Sequence, residues 1–243
     1  MGADGGTAVM GLAHSPRIVT DGLVLCLDAA SKRSYPGTGT TWIDLTGGND
    51  GALANGPTFN DENGGSVVFD GTDDYVDFGN ILNMGTGDIS FNAWVKRTGG
   101  DGEQDWIFSK SYAGDGVGRY WLDFDNNTTL RVGAAWASGH TNYYFSGTFN
   151  QDVWYNYAVV FDRDDKLYLY INGELNTSHD ISAHSNVNMT NTYPYRLGSY
   201  TDSNQSTAVY FLNGKISCHL HYNRALSEEE IRQNYEATVG RYS

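Results

Sequence analysis

Asp123 and Asp125 alternate in the run WLDFD, so on a strand both carboxylates leave from one face. Two carboxyls about 5–10 Å apart are the equipment of glycoside hydrolysis, one as acid and the other as base or nucleophile. Glutamate occurs only at positions 62, 103, 174, 228, 229, 230 and 236, so no Glu joins the two aspartates on that strand. The same residues also read as a polar outer face or a strand end, and a non-enzymatic protein is expected. Three acidic clusters offer a different chemistry: Asp70, Asp73, Asp74 and Asp77; Asp101 and Asp105; Asp162, Asp164 and Asp165. Calcium takes six to eight hard oxygens of this type. None of the clusters has the spacing of a helix–loop–helix calcium site, and aspartate also accepts hydrogen bonds within its own turn. A structural calcium and solvated turn carboxylates both stand as readings.

His219 and His221 lie two apart on a strand and share a face, which would suit a transition metal. Zinc needs three or four ligands, and the adjacent Cys218 points to the other face; a packed or hydrogen-bonded pair is the expected reading. Cys26 and Cys218 are the two cysteines, placed in the first and last strands. A cross-strand disulfide between them is conceivable, whereas assembly in a reducing cytosol would leave two thiols.

Sugar binding calls for aromatic rings on which C–H faces stack and for amide or carboxylate groups that meet hydroxyls. Trp136, His140, Asn142, Tyr143, Tyr144, Tyr193 and Tyr195 supply these types, in and beside the segments 137–149 and 176–194. Many aromatics of a β protein are core or cross-strand pairs. Tyr143, Tyr144 and Phe145 cannot all point inward from one strand, so at least one ring faces outward.

These residues need strands to hold them. The 243-residue chain has 30 glycines, 4 prolines and 14% aromatic residues, a turn-rich, aromatic-rich composition typical of β proteins. Its formal net charge of −14 argues against nucleic acid and against anionic membranes as partners. No run of about 18 apolar residues is present, so no membrane span is expected. Residues 1–20 are Gly-rich and aperiodic, which predicts a flexible arm ahead of one domain over 21–243. They also lack the pattern of a secretion signal.

Alternating runs mark the strands. Val67–Phe69 and Tyr75–Phe78 flank the acidic turn Asp70–Asp74 and predict a hairpin. Ile89–Lys96, Trp106–Lys110, Arg119–Asp125, Thr129–Trp136, Trp154–Phe161, Lys166–Ile171 and Lys215–Tyr222 follow, with Asn172-Gly173 as a two-residue turn and 176–194 as a long loop. Ser227 and Glu230 form a capping box for one C-terminal helix, stapled by Leu226 and Ile231 and stopped at Gly240.

Four ordered blocks carry a family resemblance: FDGTDDYVDFGN, ISFNAWVKR, WYNYAVVFDRDDKLYLYINGEL and FLNGKIS with HYNRALSEEEI. Together they resemble the concanavalin A-like lectin/glucanase superfamily, in its laminin G-like (pentraxin-like) branch, from about Gly22 onward. The resemblance implies an all-β fold, a two-sheet antiparallel jelly-roll sandwich with one short C-terminal helix. It implies a ligand on the concave sheet or its rim loops, and rim calcium in some members. IVTDGLVLCLDAASKRSYPGTGTTWIDLTG and NRALSEEEIRQNYEATVGRY are similar to the end blocks of bacteriophage virion proteins of this type. That implies a virion location after assembly in the host cytoplasm, with an extracellular location as the alternative. It also implies capsid or tail proteins as partners, with host or environmental glycan and self-association as further possibilities. A purely structural decoration protein shares the same features. One departure stands out: the last strand carries His219 and His221 where such proteins carry aliphatics. Either a bulge shifts its register, or the apolar face of Cys218, Leu220 and Tyr222 turns outward under a neighbouring subunit.

Overall fold

The computed structural model describes residues 16–99, 104–114, 116–126, 129–136, 139–203 and 207–242. The expected β-sandwich is present, as two eight-stranded antiparallel sheets closed by one helix. The first sheet runs β14 (Glu174–Asp180), β13 (Lys166–Ile171), β12 (Trp154–Phe161), β7 (Ile89–Arg97), β18 (Asn213–Tyr222), β5 (Ser66–Asp70) and β4 (Thr58–Asn60), with β1 (Leu23–Asp28) also paired to β18. The second runs β11 (Thr141–Ser146), β10 (Thr129–Ala134), β9 (Tyr120–Asn126), β8 (Asp105–Lys110), β15 (Tyr195–Leu197), β6 (Tyr75–Asp77), β3 (Gly51–Ala54) and β2 (Thr41–Trp42). A small ribbon of β16 (Tyr200–Thr201) and β17 (Ala208–Val209) lies beside β8.

Alternation fills the core as period two requires. Phe91, Ala93 and Val95 of β7 meet Tyr120, Leu122 and Phe124 of β9 in one apolar cluster, and Phe91 stacks on Phe108 with ring centroids 4.4 Å apart. The expected hairpin at Asp70–Asp74 is not a hairpin. β5 pairs with β18 and β4 in the first sheet, while β6 pairs with β15 and β3 in the second. Val67 and Phe69 therefore face Val76 across the core, and the acidic turn crosses from sheet to sheet. The link is too long for the two-residue turn that joins neighbouring strands. Asn172 (φ 53°) and Gly173 (φ 80°) do make the expected tight turn, between β13 and β14.

Two expected boundaries move. β14 continues through residues 176–180, where a loop was expected. The rest of 176–194 plugs one end of the sandwich, with Ile181 and Met189 buried. The helix α1 spans Glu228–Thr238 with its capping box at Ser227 and Glu230, but its C-cap is Val239, and Gly240 is not in the left-handed conformation of a stop.

The histidine departure resolves through a bulge between Ile216 and Cys218. Ile216 points into the main core; beyond the bulge His219 and His221 point inward, and Cys218, Leu220 and Tyr222 point outward. That outward face is covered by α1 of the same chain, whose Ile231 is fully buried against it. Residues 16–20, expected in the arm, dock on the same helix: Val19 N donates to Asn234 Oδ1 (2.8 Å) and Tyr222 Oη to the Val19 carbonyl (3.0 Å). Residues 1–15 lie outside the described residues. Cys26 and Cys218 are free and buried. Cys26 stands opposite Leu220 and Cys218 opposite Asp28, so the thiols are diagonal neighbours. Diagonal positions are roughly 7–8 Å apart, beyond ordinary disulfide reach.

Candidate functional site

The outer face of the second sheet is where chemistry-bearing side chains gather. The strand registers set them in two rows. Trp106, Asp123, Arg131 and Tyr144 are partners across β8, β9, β10 and β11. Ser109, Trp121, Gly133 and Asn142 form the parallel row. The first row is electrostatic. Arg131 Nε donates to Asp123 Oδ1 at 3.0 Å, a second guanidinium nitrogen grips Asp123 Oδ2, and Nη1 reaches Asp125 Oδ1 at 2.9 Å. The Gln104 amide, oriented by this network, turns its oxygen to the same guanidinium at 3.1 Å, and the Tyr144 hydroxyl joins it. Burial pushes the Asp123 carboxyl up to about 7, against the pull of Arg131. Asp123 has no exposed surface.

The second row is a platform. A Cβ at Gly133 would stand 1.9 Å from the Trp121 ring, so only glycine lets that indole lie across β10 toward Asn142. Trp106 packs 5.8 Å from Trp121 and stacks on Tyr200 at 4.0 Å, while Val209 of the β16–β17 ribbon covers the cluster. His140 sits edge-on over Trp121 at 5.6 Å. Both indole N–H groups, Trp106 Nε1 and Trp121 Nε1, are buried without an acceptor, and Asn142 Oδ1 is buried without a donor.

Two cavities open on this surface. The smaller, about 220 Å³, is lined by Trp106, Trp121, Arg131, His140 and Asn142, with Gln104, Ala113, Tyr200 and Tyr210 at its border. The larger, about 790 Å³, shares Gln104, Ala113 and Tyr210 and runs on past Asp105, Asp202, Phe211 and Asn213 to Gly71 and Thr72. A volume in this range suits a small-molecule cleft. Tyr210 stands at the junction, 49% exposed and at φ 57°. An aromatic residue in left-handed backbone is costly and persists where the surroundings impose it.

Of the seven expected sugar-contact residues, three come together here: His140 and Asn142 line the smaller cavity and Tyr144 (50% exposed) stands beside them on β11. Trp136, Tyr143 and Tyr195 are corrected to core residues. Trp136 stacks on His184 at 4.9 Å and donates to the Tyr143 hydroxyl at 3.2 Å, and Tyr195 Oη meets His219 Nε2 at 2.6 Å. Tyr193 packs on Tyr112 at 4.2 Å, accepts from Lys110 Nζ at 2.8 Å through its carbonyl, and lines neither cavity. Of the loop 176–194, expected as a binding loop, residues 181–193 are held inward by Arg163, which donates to the carbonyls of His184 and Val187 and sits over the Trp136 ring at 4.9 Å. Trp106, Trp121, Tyr200 and Tyr210 were missed. The available signal was the Trp121–Asp123–Asp125 alternation, read for its acids and not for the indole sharing their face.

The metal readings also resolve into geometry. Asp70, Asp73 and Asp74 can bring one oxygen each within 4.8 Å of one another. Asp70 Oδ1 accepts from Thr72 N (2.8 Å) and Asp73 N (3.3 Å), and Asp74 Oδ2 accepts from Asp70 N (3.1 Å). Asp77 pairs with Arg196 at 2.8 Å instead. Three carboxylate oxygens, two of them holding the turn, do not by themselves make the six-to-eight-oxygen shell of calcium. Asp101 lies outside the described residues, and Asp105 pairs with Arg97. Asp162, Asp164 and Asp165 occupy the β12–β13 turn, where Asp165 N donates to the Asp162 carbonyl at 3.1 Å. His219 and His221 are sealed in the core, and burial holds His219 down at about 3 and His221 well below its ordinary value.

Similar folds occur in proteins of distant sequence. Trypanosoma rangeli sialidase, solved in complex with sialic acid, superposes with TM-score 0.67 at 16% identity over 93% of this chain and 34% of the sialidase chain. The binding domain of Paraclostridial mosquitocidal protein 1 gives TM-score 0.69 at 15% identity, over 88% of this chain and 52% of that one. The receptor binding domain of botulinum neurotoxin D gives 0.66 at 15% identity, over 90% and 53%. The chain thus spans about a third to a half of these neighbours, and at such identities the likeness is one of fold. No curated protein matches the chain significantly. The laminin G-like profile described as concanavalin A-like lectin/glucanases superfamily matches residues 70–232, which is more than half of the sequence and includes both rows of the outer face. With its two-sheet sandwich and its matched length taken together, the chain belongs to the concanavalin A-like lectin/glucanases superfamily.

Proposed function

We propose that this chain is a non-catalytic carbohydrate-binding module, and that its glycan lies in the groove on the outer face of the second sheet. The observation that carries this reading is Tyr210: a half-exposed ring, held in left-handed backbone, at the junction of two cavities, the smaller of which is lined by Trp106, Trp121 and Tyr200. The Tyr210 ring offers a face for sugar C–H groups, while Gln104, His140 and Asn142 offer polar groups for hydroxyls. Two of the similar structures are described as a receptor binding domain and as a complex with sialic acid, which supports glycan or receptor recognition on this fold. A non-catalytic role is supported by the carboxylates. Asp123 is fully buried, and one guanidinium holds both Asp123 and Asp125, so neither is placed to act as acid and base on a bound glycoside.

The same proposal places the module on a virus particle, as a capsid decoration or tail component that would meet host or environmental glycans. Support for that part is the resemblance of the two end blocks, 18–47 and 223–242. A glycan array probed with the parent chain and with Tyr210→Gly tests the binding activity. Hits that vanish in the variant are expected. A silent array, with the protein still folded, overturns the reading in favour of a purely structural protein.

A further inference from the structure

We infer that the groove selects uncharged glycans and discriminates against sialylated, sulfated and uronate-bearing ones. This rests on the groove being a glycan site and concerns the chemical class it takes.

Arg131 is the one permanently cationic side chain lining either cavity among the described residues. A guanidinium has five N–H donors. Here it grips Asp123 through two nitrogens, reaches Asp125 at 2.9 Å, faces the Gln104 oxygen and meets the Tyr144 hydroxyl. The bidentate fork that would recognise a ligand carboxylate or sulfate is therefore already occupied by the protein's own acids. The remaining charge around the groove is negative. Asp202 lines the larger cavity, Asp105 there is already neutralised by Arg97, and Gly71 and Thr72 bring the Asp70–Asp74 turn to its edge. The whole chain carries −14, so an anionic ligand approaches against the field.

The uncharged polar groups point the same way. Trp121, Gly133 and Asn142 are partners across three adjacent strands; the absent Cβ of Gly133 lets the indole nitrogen side of Trp121 lie over β10, the strand next to Asn142, and both side chains line the smaller cavity. Trp121 Nε1 wants an acceptor and Asn142 Oδ1 wants a donor, yet the two do not bond each other. A buried polar group without a partner costs about 1–3 kcal/mol. A hydroxyl donates and accepts at once, so one sugar OH can satisfy both; a carboxylate only accepts and would meet the Asn142 oxygen lone pair to lone pair. His140, exposed and edge-on over Trp121, is the side chain that must give way for the hydroxyl to enter.

The test uses matched probes: each neutral oligosaccharide of an array beside its sialylated, sulfated or uronate counterpart, for example lactose beside 3′-sialyllactose, at physiological salt. Neutral members are expected to bind at least tenfold more tightly than their acidic counterparts. Asn142→Leu, at a half-exposed position, should weaken neutral binding at least tenfold with little change in melting temperature. Asp125→Ala frees a donor of Arg131 and should narrow the neutral-over-acidic ratio at least threefold. Acidic hits that are stronger than their neutral partners and are lost in Tyr210→Gly overturn the inference while leaving the groove as the site. Hits indifferent to Tyr210→Gly, or none at all, overturn the groove and the inference together.

Discussion

Each sheet of the sandwich puts tryptophan on its outer face, and the two faces treat it oppositely. On the first sheet Trp94 lies under α1, stacked on Tyr242 at 3.9 Å, with its indole nitrogen donating to Thr238 Oγ1 at 2.8 Å. Trp154 nearby donates to Asn63 Oδ1 at 3.1 Å. On the second sheet Trp106 and Trp121 are as deeply buried, under a two-stranded ribbon and a histidine, and neither indole nitrogen has a partner. A face that is only packed satisfies its polar atoms, because leaving them unpaired lowers stability and gains nothing. An unpaired indole alone is no mark of a site, since Trp42 Nε1 is equally unpaired in the core. Under the proposed function it is the unpaired donors beside two cavities that set the second face apart as the binding surface and the packed first face as the structural one.

The comparison breaks most visibly at the helix. Ile231 is fully buried where α1 meets the first sheet. Ile231→Ala should cost about 2–5 kcal/mol, or on the order of 10 °C in melting temperature for a domain of this size, read by calorimetry. Sugar affinity should be unchanged, because the groove lies on the opposite sheet. Tyr210→Gly should do the reverse. It removes the exposed ring and relieves the left-handed backbone at φ 57°, so affinity should fall at least tenfold while stability holds or rises by about 1 kcal/mol. A large loss of stability in that variant would make Tyr210 a structural residue and erase the contrast between the faces.

The fold was largely legible in the sequence, since period-two alternation, the Asn172-Gly173 turn and the Ser227–Glu230 box are local signals. What alternation cannot show is which sheet a strand joins. Val67–Phe69 and Tyr75–Phe78 look like hairpin partners, but each needs an apolar face and both faces can be met across a core as well as along a sheet. Aromatic type was equally ambiguous. Tyr143 and Tyr144 are adjacent and alike, and only the pairing of β11 with β10 puts one in the core and the other on the surface. The groove was hidden for a related reason. Its tryptophans come from β8 and β9, its amide from β11, and Tyr210 from a segment some 70 residues further on; nothing local joins them.

The main core carries a third treatment of polar groups, which pH exposes. His219 and His221 are buried and held neutral, His219 down at about 3. Unfolded histidine titrates near 6.5. Between those values the unfolded chain binds more protons than the folded one, so stability is full above pH 6.5 and falls as pH drops. Each neutral histidine contributes a slope of about 1.4 kcal/mol per pH unit in that window. Asp123, raised to about 7 by burial, acts with the opposite sign between roughly pH 4 and 7, and so offsets part of the loss. Urea unfolding at pH 7, 6 and 5 should therefore show stability falling with acid, and His221→Leu should flatten the fall relative to the parent. An unchanged slope would mean that His221 is protonated inside the fold.

The smallest expected effect is at the acidic turn. If Asp70, Asp73 and Asp74 held calcium with a dissociation constant of about 10 µM, 1 mM calcium would stabilise the fold by about 2.7 kcal/mol, a shift of several degrees. The geometry argues for less. Asp70 Oδ1 already takes two backbone N–H groups and Asp74 Oδ2 a third, which fixes the four-residue passage from β5 in one sheet to β6 in the other. Those bonds also hold the Asp70 carboxyl below its usual range. The carboxylates are thus accounted for by the turn, as Trp94 is by the helix. Calcium at 1 mM should move the melting temperature by less than about 1 °C, while Asp70→Ala, which removes the turn's acceptor, should lower stability by about 1 kcal/mol with or without calcium. A calcium shift of several degrees that disappears in Asp70→Ala would move this turn from the satisfied class to the unsatisfied one, and would place a second ligand site at the far edge of the groove that Gly71 and Thr72 line.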